Sequence, residues 1–174
     1  LTVGAGGGTS IFGGALTGTG GLTKAGTGTL TLTGSNTYTG FTEALGGTLV
    51  AGSASAFGGS TLLTVGQGAT VDFNGFNQAF NSVSGGGAIF LTNGASLTLG
   101  AGGDSTAFGG SIGGSGGIIK TGSGTLSLSG NNSFAGGITV DGGTLAVSGD
   151  GNLGAGGLTF NGTTFAISSS SFST

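Results

Sequence analysis

The sequence has no cysteine, proline, histidine or arginine, and only 4% of its residues are charged. Without cysteine there is no disulfide framework, no thiol nucleophile and no cysteine metal ligand. Without clustered lysine and arginine, the chain lacks the cations that bind nucleic-acid phosphates or a membrane surface. Its apolar runs fall far short of the roughly 20 residues that a membrane-spanning helix needs. We therefore expect neither nucleic-acid binding nor a membrane-spanning segment.

Glycine is what the sequence has in excess, with 47 of the 174 residues. Glycine without proline excludes collagen, and 35% hydrophobic residues in alternating order argue against a flexible linker. Glycine at this density also excludes helices, because each glycine costs a helix about 1 kcal/mol relative to alanine. No signal peptide is visible at Leu1, and the pattern is already under way there. We expect an excerpt of a longer protein.

A long repeat organises the chain. The segment KAGTGTLTLTG at residues 24–34 returns as KTGSGTLSLSG at residues 120–130, which is a separation of 120 − 24 = 96 residues. The match runs without a gap from residue 1 through residue 49. We therefore predict a first repeat unit at residues 1–96 and a second, truncated copy at residues 97–174, within one continuous domain.

Within the first unit, short alternating segments bounded by glycine, asparagine or serine recur about every 8 to 10 residues, as strands do. A sandwich or barrel has a fixed number of strands, whereas a solenoid adds similar rungs along an axis. We therefore predict an all-β solenoid with about 24 residues per rung, about seven rungs and a length of about 35 Å. The predicted strands lie at residues 1–3, 29–33, 47–52, 61–65, 70–73, 79–83 and 88–92.

The alternation also predicts which side chains are inside. In GTLTLTG, a period of two sends Leu30 and Leu32 inward and leaves Thr29, Thr31 and Thr33 facing water. The same pattern predicts further core residues at Leu126, Leu128, Val71, Phe73, Leu97 and Leu99.

These motifs resemble a known family. Residues 20–49 and 116–145 share a lysine, a Gly-Thr-Leu-x-Leu strand, an Asn-x-aromatic turn and a Gly-Gly-Thr-Leu strand, which together look like the autotransporter-associated β-strand repeat, or passenger-associated transport repeat. The resemblance implies a right-handed parallel β-helix, exported across the outer membrane of a Gram-negative bacterium to the cell surface or the extracellular space. The first copy departs from the pattern at GFTEALGG, residues 40–47, so no regular strand is predicted there.

The two lysines are the first candidates for a site. Lys24 and Lys120 could be catalytic or bind an anionic glycan, because cations are so rare in this chain. The interpretation we favour is a solvated turn residue that blunts lateral strand pairing, as edge lysines do.

The carboxylates are the second candidates. Asp141 and Asp150 could form the acid pair of a polysaccharide hydrolase, but their counterparts in the first copy are apolar. Asp104 and Asp150 lack the ligand spacing of a repeat-type calcium site, so solvated turn residues are expected. We therefore predict no enzyme activity and no catalytic, cofactor or metal site.

Three surface features complete the candidates. The threonine face of residues 29–33 resembles that of ice-binding solenoids, but the motif recurs only once per 96 residues, which argues against this role. Phe73 and Phe90 are expected to stack in the interior rather than bind carbohydrate. Asn131 and Asn161 begin glycosylation sequons, whose use depends on the host.

The predicted function is structural: a segment of a secreted, surface-exposed solenoid whose partners are copies of itself, assembled end to end into a fibre or side by side. Surface glycans are a further possible partner, because the exterior is rich in hydroxyl groups and nearly uncharged. The alternative is an adhesin-type module that binds a glycan or a host or matrix ligand.

Overall fold

The computed structural model describes residues 1–59, 61–162 and 164–171, and it confirms an all-β, parallel solenoid. No α-helix occurs in these ranges, which contain two short 3₁₀ turns at Thr92–Gly94 and Asp150–Asn152. The hand of the coil stays a prediction. The strands are β1 (Thr2–Val3), β2 (Ser10–Phe12), β3 (Leu22–Lys24), β4 (Thr29–Leu32), β5 (Thr42–Ala44), β6 (Thr48–Ala51), β7 (Leu62–Val65), β8 (Thr70–Asp72), β9 (Gln78–Phe80), β10 (Ser82–Gly85), β11 (Ala88–Leu91), β12 (Leu97–Leu99), β13 (Thr106–Phe108), β14 (Ser111–Gly114), β15 (Ile118–Lys120), β16 (Thr125–Leu128), β17 (Ile138–Val140), β18 (Thr144–Gly149), β19 (Leu158–Phe160) and β20 (Thr164–Ser171).

The turns are shorter than predicted. Leu22 pairs with Thr42 and Thr106 with Leu126, so one turn takes about 20 residues, and the chain makes about eight turns. The prediction of 24 residues and seven rungs was wrong because most strands have three or four residues rather than eight, and the chain turns a corner after each. At a strand spacing of about 4.8 Å, eight turns span about 38 Å.

The coil has three faces. The first face contains β1, β3, β5, β7 and β10, and continues as β13, β16, β18 and β20. At the junction, the hydroxyl of Thr106 accepts a hydrogen bond from the Val83 amide at 2.8 Å, so a side chain bridges the two ladders. The second face contains β2, β4, β6, β8, β11 and β14, and the third contains β9, β12, β15, β17 and β19.

The repeat and the coil have different periods. Lys24 ends β3 on the first face, and its counterpart Lys120 ends β15 on the third face. On the first face, the strand four turns after β3 is β13. The chain then passes through β14 on the second face and reaches Lys120 in β15 on the third. The 96-residue shift therefore corresponds to four turns and two faces, so equivalent residues lie on different sides of the coil.

A continuous apolar interior runs along the axis. The eight residues that the alternation predicts inside are at most 4% exposed. The rings of Phe57, Phe73 and Phe80 lie 6.0 to 6.4 Å apart and fill one corner of the core. Phe90 contradicts its prediction and is 41% exposed, because its neighbours Ile89 and Leu91 take the inward positions of β11. The buried set is Leu30, Leu32, Leu126, Leu128, Val71, Phe73, Leu97 and Leu99.

Two strand predictions also need correction. Residues 79–83 do not form one strand, because β9 ends at Phe80 and β10 begins at Ser82 on another face. Phe80 and Val83 are both buried, and a spacing of three cannot place both inside a single strand of period two. Residues 40–47 do contain a strand, β5, which pairs with β3 and β7.

Candidate functional site

The two lysines are buried, which contradicts the prediction that they are solvated. Lys24 is 1% exposed and Lys120 is 0% exposed. Each is the third residue of its strand and shares the inward side with the first residue, Leu22 or Ile118. The alternation that places leucine in the core therefore places lysine there as well.

The Lys24 ammonium is held by backbone carbonyl groups at a corner of the coil. Its Nζ donates to the carbonyl oxygens of Ala25 at 2.7 Å, Gly26 at 2.9 Å and Gly46 at 3.2 Å. The first two belong to its own corner, and Gly46 belongs to the corner of the next turn. The ammonium therefore uses its three protons to connect two successive turns.

Lys120 makes the equivalent contacts on another face. Its Nζ donates to the carbonyl oxygens of Gly122 at 3.0 Å and Gly142 at 3.2 Å, and also to that of Thr121. Gly100, one turn earlier, lies under the side chain, because an added Cβ there would come within 3.2 Å of Nζ. Gly4 has the same relation to Lys24, with 3.1 Å to Cδ and Cε.

Both ammonium groups lie in surroundings that affect their pKa and occupy their protons. Burial lowers the pKa of Lys24 and of Lys120 below that of an exposed lysine. A lowered pKa alone would suit a nucleophile or a general base. Here, however, each amine is buried and donates to three carbonyl oxygens, so its protons are used within the coil. These hydrogen bonds hold each corner of the coil to the corner of the next turn.

Two asparagines connect turns where a face is formed by loops. The Oδ1 atom of Asn36 accepts from the Leu16 amide at 2.8 Å, and its Nδ2 donates to the Ala56 carbonyl at 2.6 Å. Each partner lies 20 residues away, one turn before and one turn after. One side chain therefore supplies the link between three successive turns.

The second copy has the same bridge. Asn132 accepts from the Ile112 amide at 2.8 Å and donates to the Asn152 carbonyl at 2.6 Å. Asn36 is 2% exposed and Asn132 is 8% exposed, so both are buried polar groups with partners on both sides of the amide.

The aromatic residue after each asparagine differs between the copies. Tyr38 is 3% exposed, and its hydroxyl lies 2.6 Å from the hydroxyl of Thr42. Burial raises the pKa of Tyr38 to about 12, against the smaller lowering effect of the Thr42 hydrogen bond. In the second copy, Phe134 and Ile138 replace this polar pair and are also buried.

The acidic candidates do not come together. Asp141 follows β17 on the third face, whereas Asp150 follows β18 on the first, so they lie at different corners. The Nδ2 of Asn161 donates to Asp141 at 2.6 Å, and Asp104 and Asp150 are exposed. The described residues contain no group of three His, Cys, Asp or Glu side chains placed to hold a metal ion.

Threonine recurs in only one of the two rows that an ordered threonine array on this face would need. Thr29 aligns with Thr48 and Thr70 on the second face, so threonine does recur in successive turns of one row. In the adjacent row, however, Thr31 aligns with Val50. Of the sequon residues, Asn131 and Asn161 are exposed, and Thr163 lies outside the described residues.

The buried lysine and asparagine sites were missed by the sequence argument. A usable sign was present, because each lysine is preceded by a glycine 20 residues earlier and followed by one 22 residues later. With a turn of about 20 residues, these glycines lie beside the lysine in the neighbouring turns. The assumption of 24 residues per rung hid that relation.

The comparisons agree with this geometry. The family model described as the passenger-associated-transport-repeat matches residues 22–51 and 118–147, which run from β3 to β6 and from β15 into β18. No curated protein matches the chain. Within the described ranges, no helix is both long and apolar enough to cross a bilayer. Two segments of the one β-solenoid therefore match the passenger-associated-transport-repeat model.

Proposed function

We propose that this chain is a structural segment of a secreted or surface-exposed passenger domain, in which it extends the solenoid and catalyses no reaction. The observation that carries the proposal is the use of the buried polar side chains. Lys24, Lys120, Asn36 and Asn132 all bond from one turn to another, so these groups are committed to holding the coil. A polysaccharide hydrolase assay should detect no activity in the native chain or in Asp141→Asn, and an activity that Asp141→Asn abolishes would contradict this function.

The proposed assembly is end to end, either along one polypeptide or between copies. In the first turn of this sequence, Leu1 and Phe12 are 64% and 38% exposed, beside a cavity of about 300 Å³. Their counterparts Leu97 and Phe108, which have a turn beneath them, are 0% and 1% exposed. A further turn stacked on β1 and β2 would cover the same apolar surface and pair the open strand edges.

Electron microscopy tests this assembly. Concentrated protein should form filaments, and Phe12→Asp should shorten them by charging the open end, whereas Phe90→Asp on the second face should not. Short monodisperse particles at every concentration would contradict assembly between copies.

A second proposed function is glycan binding, as in an adhesin. A cavity of about 250 Å³ at the third face is lined by the polar residues Thr61, Asn81 and Thr98 and by the apolar residues Ala79 and Phe80. Hydroxyl and amide groups beside apolar surface suit a sugar ring. A glycan array should show saturable binding that Asn81→Ala weakens, and an array without saturable binding would contradict this function.

A further inference from the structure

One strand carries its apolar side chains on the outside. In β5, the inward residues are Thr42 and Ala44, and both are 0% exposed. The flanking residues Phe41 and Leu45 are 44% and 51% exposed, and Glu43 lies between them on the outer side. The period of two therefore gives this strand a polar or small interior side and an apolar outer side.

The second copy shows that the fold does not need this arrangement. The equivalent strand β17 has Ile138 and Val140 inside, at 1% and 0% exposure. Its outer positions are Gly137, Thr139 and Asp141, none of which is a large apolar residue. The same coil therefore forms without apolar side chains at these positions. Phe41 and Leu45 add exposed apolar surface that packing does not require.

The outer side chains have a defined spacing. Four residues of strand separate Phe41 from Leu45 by about 13 Å, with Glu43 midway between them. The Phe41 ring covers the backbone of Gly21, since a Cβ there would lie 2.7 Å from the ring. Leu62 precedes Leu63, the partner of Thr42, and so lies beside Phe41.

The carboxylate at the centre is held in place. The hydroxyl of Thr23 on β3 donates to Oε2 of Glu43 at 3.2 Å. Across β7, Thr64 continues the same outward row of the first face. Glu43 therefore presents a fixed negative charge between two apolar side chains, and we name Phe41, Glu43, Leu45 and Leu62 the β5 patch.

The chain's own side chains cannot neutralise this charge from a second copy. Its only basic side chains are Lys24 and Lys120, and both are buried and bonded to carbonyl oxygens. The charged side chains that a second copy could expose toward Glu43 are acidic, such as Asp104, Asp141 and Asp150, so a second copy brings no basic group to pair with Glu43. Charge complementarity therefore points to a partner of different composition.

We propose that the β5 patch binds an extended segment of another protein in which a lysine or arginine has an apolar residue two positions before it and two positions after it. An extended strand repeats its side chains every two residues, at about 6.6 Å, which matches the spacing of Phe41, Glu43 and Leu45. The basic group pairs with Glu43, and the apolar groups cover Phe41 and Leu45. This binding goes beyond the structural function and does not depend on end-to-end assembly.

The test uses the acetylated, amidated peptide Ser-Leu-Thr-Arg-Thr-Leu-Ser, added to the full ¹⁵N-labelled chain and followed by NMR. Saturable shifts should centre on the amides of residues 41–45 and 62. The matched peptide with glutamate in place of arginine should produce shifts at least tenfold weaker at the same concentration. Equal binding of both peptides, or no binding of the arginine peptide, overturns the proposal.

Variants locate the contact. Phe41→Ser and Leu45→Ser should each weaken peptide binding at least fivefold, and Glu43→Gln should do so while keeping an acceptor for Thr23. Phe90→Ser removes an equally exposed phenylalanine from the second face and should leave binding unchanged. All four substitutions change outward side chains and leave the core intact, and the NMR spectrum of each variant shows whether it is folded. If Phe90→Ser loses binding while the three β5 variants keep it, the proposal is overturned.

Other occupants have distinguishable outcomes. Shifts at residues 41–45 that grow with protein concentration in the absence of peptide would show that a second copy covers the patch, and this overturns the proposal. Raising the salt concentration should weaken arginine-peptide binding, because the central contact is an ion pair near the surface. Filament formation by the same protein, with or without peptide binding, tests the assembly separately.

Discussion

The corners closed by Lys24 and Lys120 lie on different faces of the coil, yet their hydrogen bonds are the same. Each ammonium binds two carbonyl oxygens of its own corner and one of the next turn, with the last contact at 3.2 Å in both copies. The apolar neighbours differ, since Ala44 lies beside one lysine and Val140 beside the other. The comparison shows that the residues of one repeat are enough to form the lysine corner, whichever face of the coil they occupy.

Among the predicted changes, removing either ammonium group should lower the free energy of unfolding the most. Lys24→Met and Lys120→Met each leave three carbonyl oxygens without their donor, and we expect each to lower the free energy of unfolding by about 4 kcal/mol. Denaturant unfolding measures the loss. The controls are Thr23→Met and Ile119→Met, which change the outward residue next to each lysine. Clearly unequal losses for the two lysines would break the equivalence of the corners.

The single tyrosine should make the copies differ at alkaline pH. Below pH 10, folded and unfolded chains both keep the Tyr38 proton, so it does not affect stability. Between pH 10 and about 12 the unfolded chain releases this proton first, because the folded pKa is about 12. The free energy of unfolding should therefore fall by about 3 kcal/mol over this window.

The measurement is direct, because the chain contains one tyrosine. Tyrosinate absorbance of the folded protein should rise near pH 12, and that of the unfolded protein near pH 10. Tyr38→Phe should remove this part of the alkaline loss and match the behaviour of Phe134. A folded-state transition near pH 10 would contradict the prediction.

The asparagine bridges should show a smaller effect. Asn36→Ala and Asn132→Ala each remove one acceptor and one donor, with an expected loss of about 2 kcal/mol. Hydrogen exchange gives a local check, since the Leu16 amide should be released in the first variant and the Ile112 amide in the second. Ser35→Ala, one residue from Asn36, is the control. Unchanged protection of both amides would show that the bridges carry no stability.

Exchanging one buried pair between copies should have the smallest net effect. Tyr38→Phe with Thr42→Ile copies the apolar pair Phe134 and Ile138 into the first repeat, and we expect a net change below about 1 kcal/mol. Thr42→Ile alone should cost about 1 to 2 kcal/mol more, because the Tyr38 hydroxyl then loses its partner. A double-mutant cycle measures this coupling, and a coupling near zero would contradict the observed hydrogen bond.

The sequence predicted those features that follow from a period of two. The inward positions of Leu30, Leu126 and Val71 follow from alternation alone, and the all-β solenoid follows from alternation together with the 96-residue repeat. The turn length did not follow, because a strand of three residues, such as β3, shows too little alternation to mark its ends. The burial of Lys24 was missed for another reason: its partners are backbone carbonyls, two of its own corner and one of the next turn, and the glycine spacing that marks them is visible only once the turn length is known.

The same distinction applies to the candidate site. Asn36 stands in a visible Asn-x-aromatic motif, but the motif does not show that its partners lie one turn away on both sides. Phe41 was visible as a departure from the repeat. Its outward direction needed the register of β5 against β3 and β7.

The mismatch between 96 residues and the turn has a consequence for a longer chain of such units. Each unit would advance by two-thirds of a circle beyond four complete turns, so its motif would wind round the rod like a screw thread. Three units, or 3 × 96 = 288 residues, would bring it back above its starting point after about 14 turns and about 67 Å. Such a rod would have no preferred front, and a neighbour could approach it from any direction and meet the same motif within that distance.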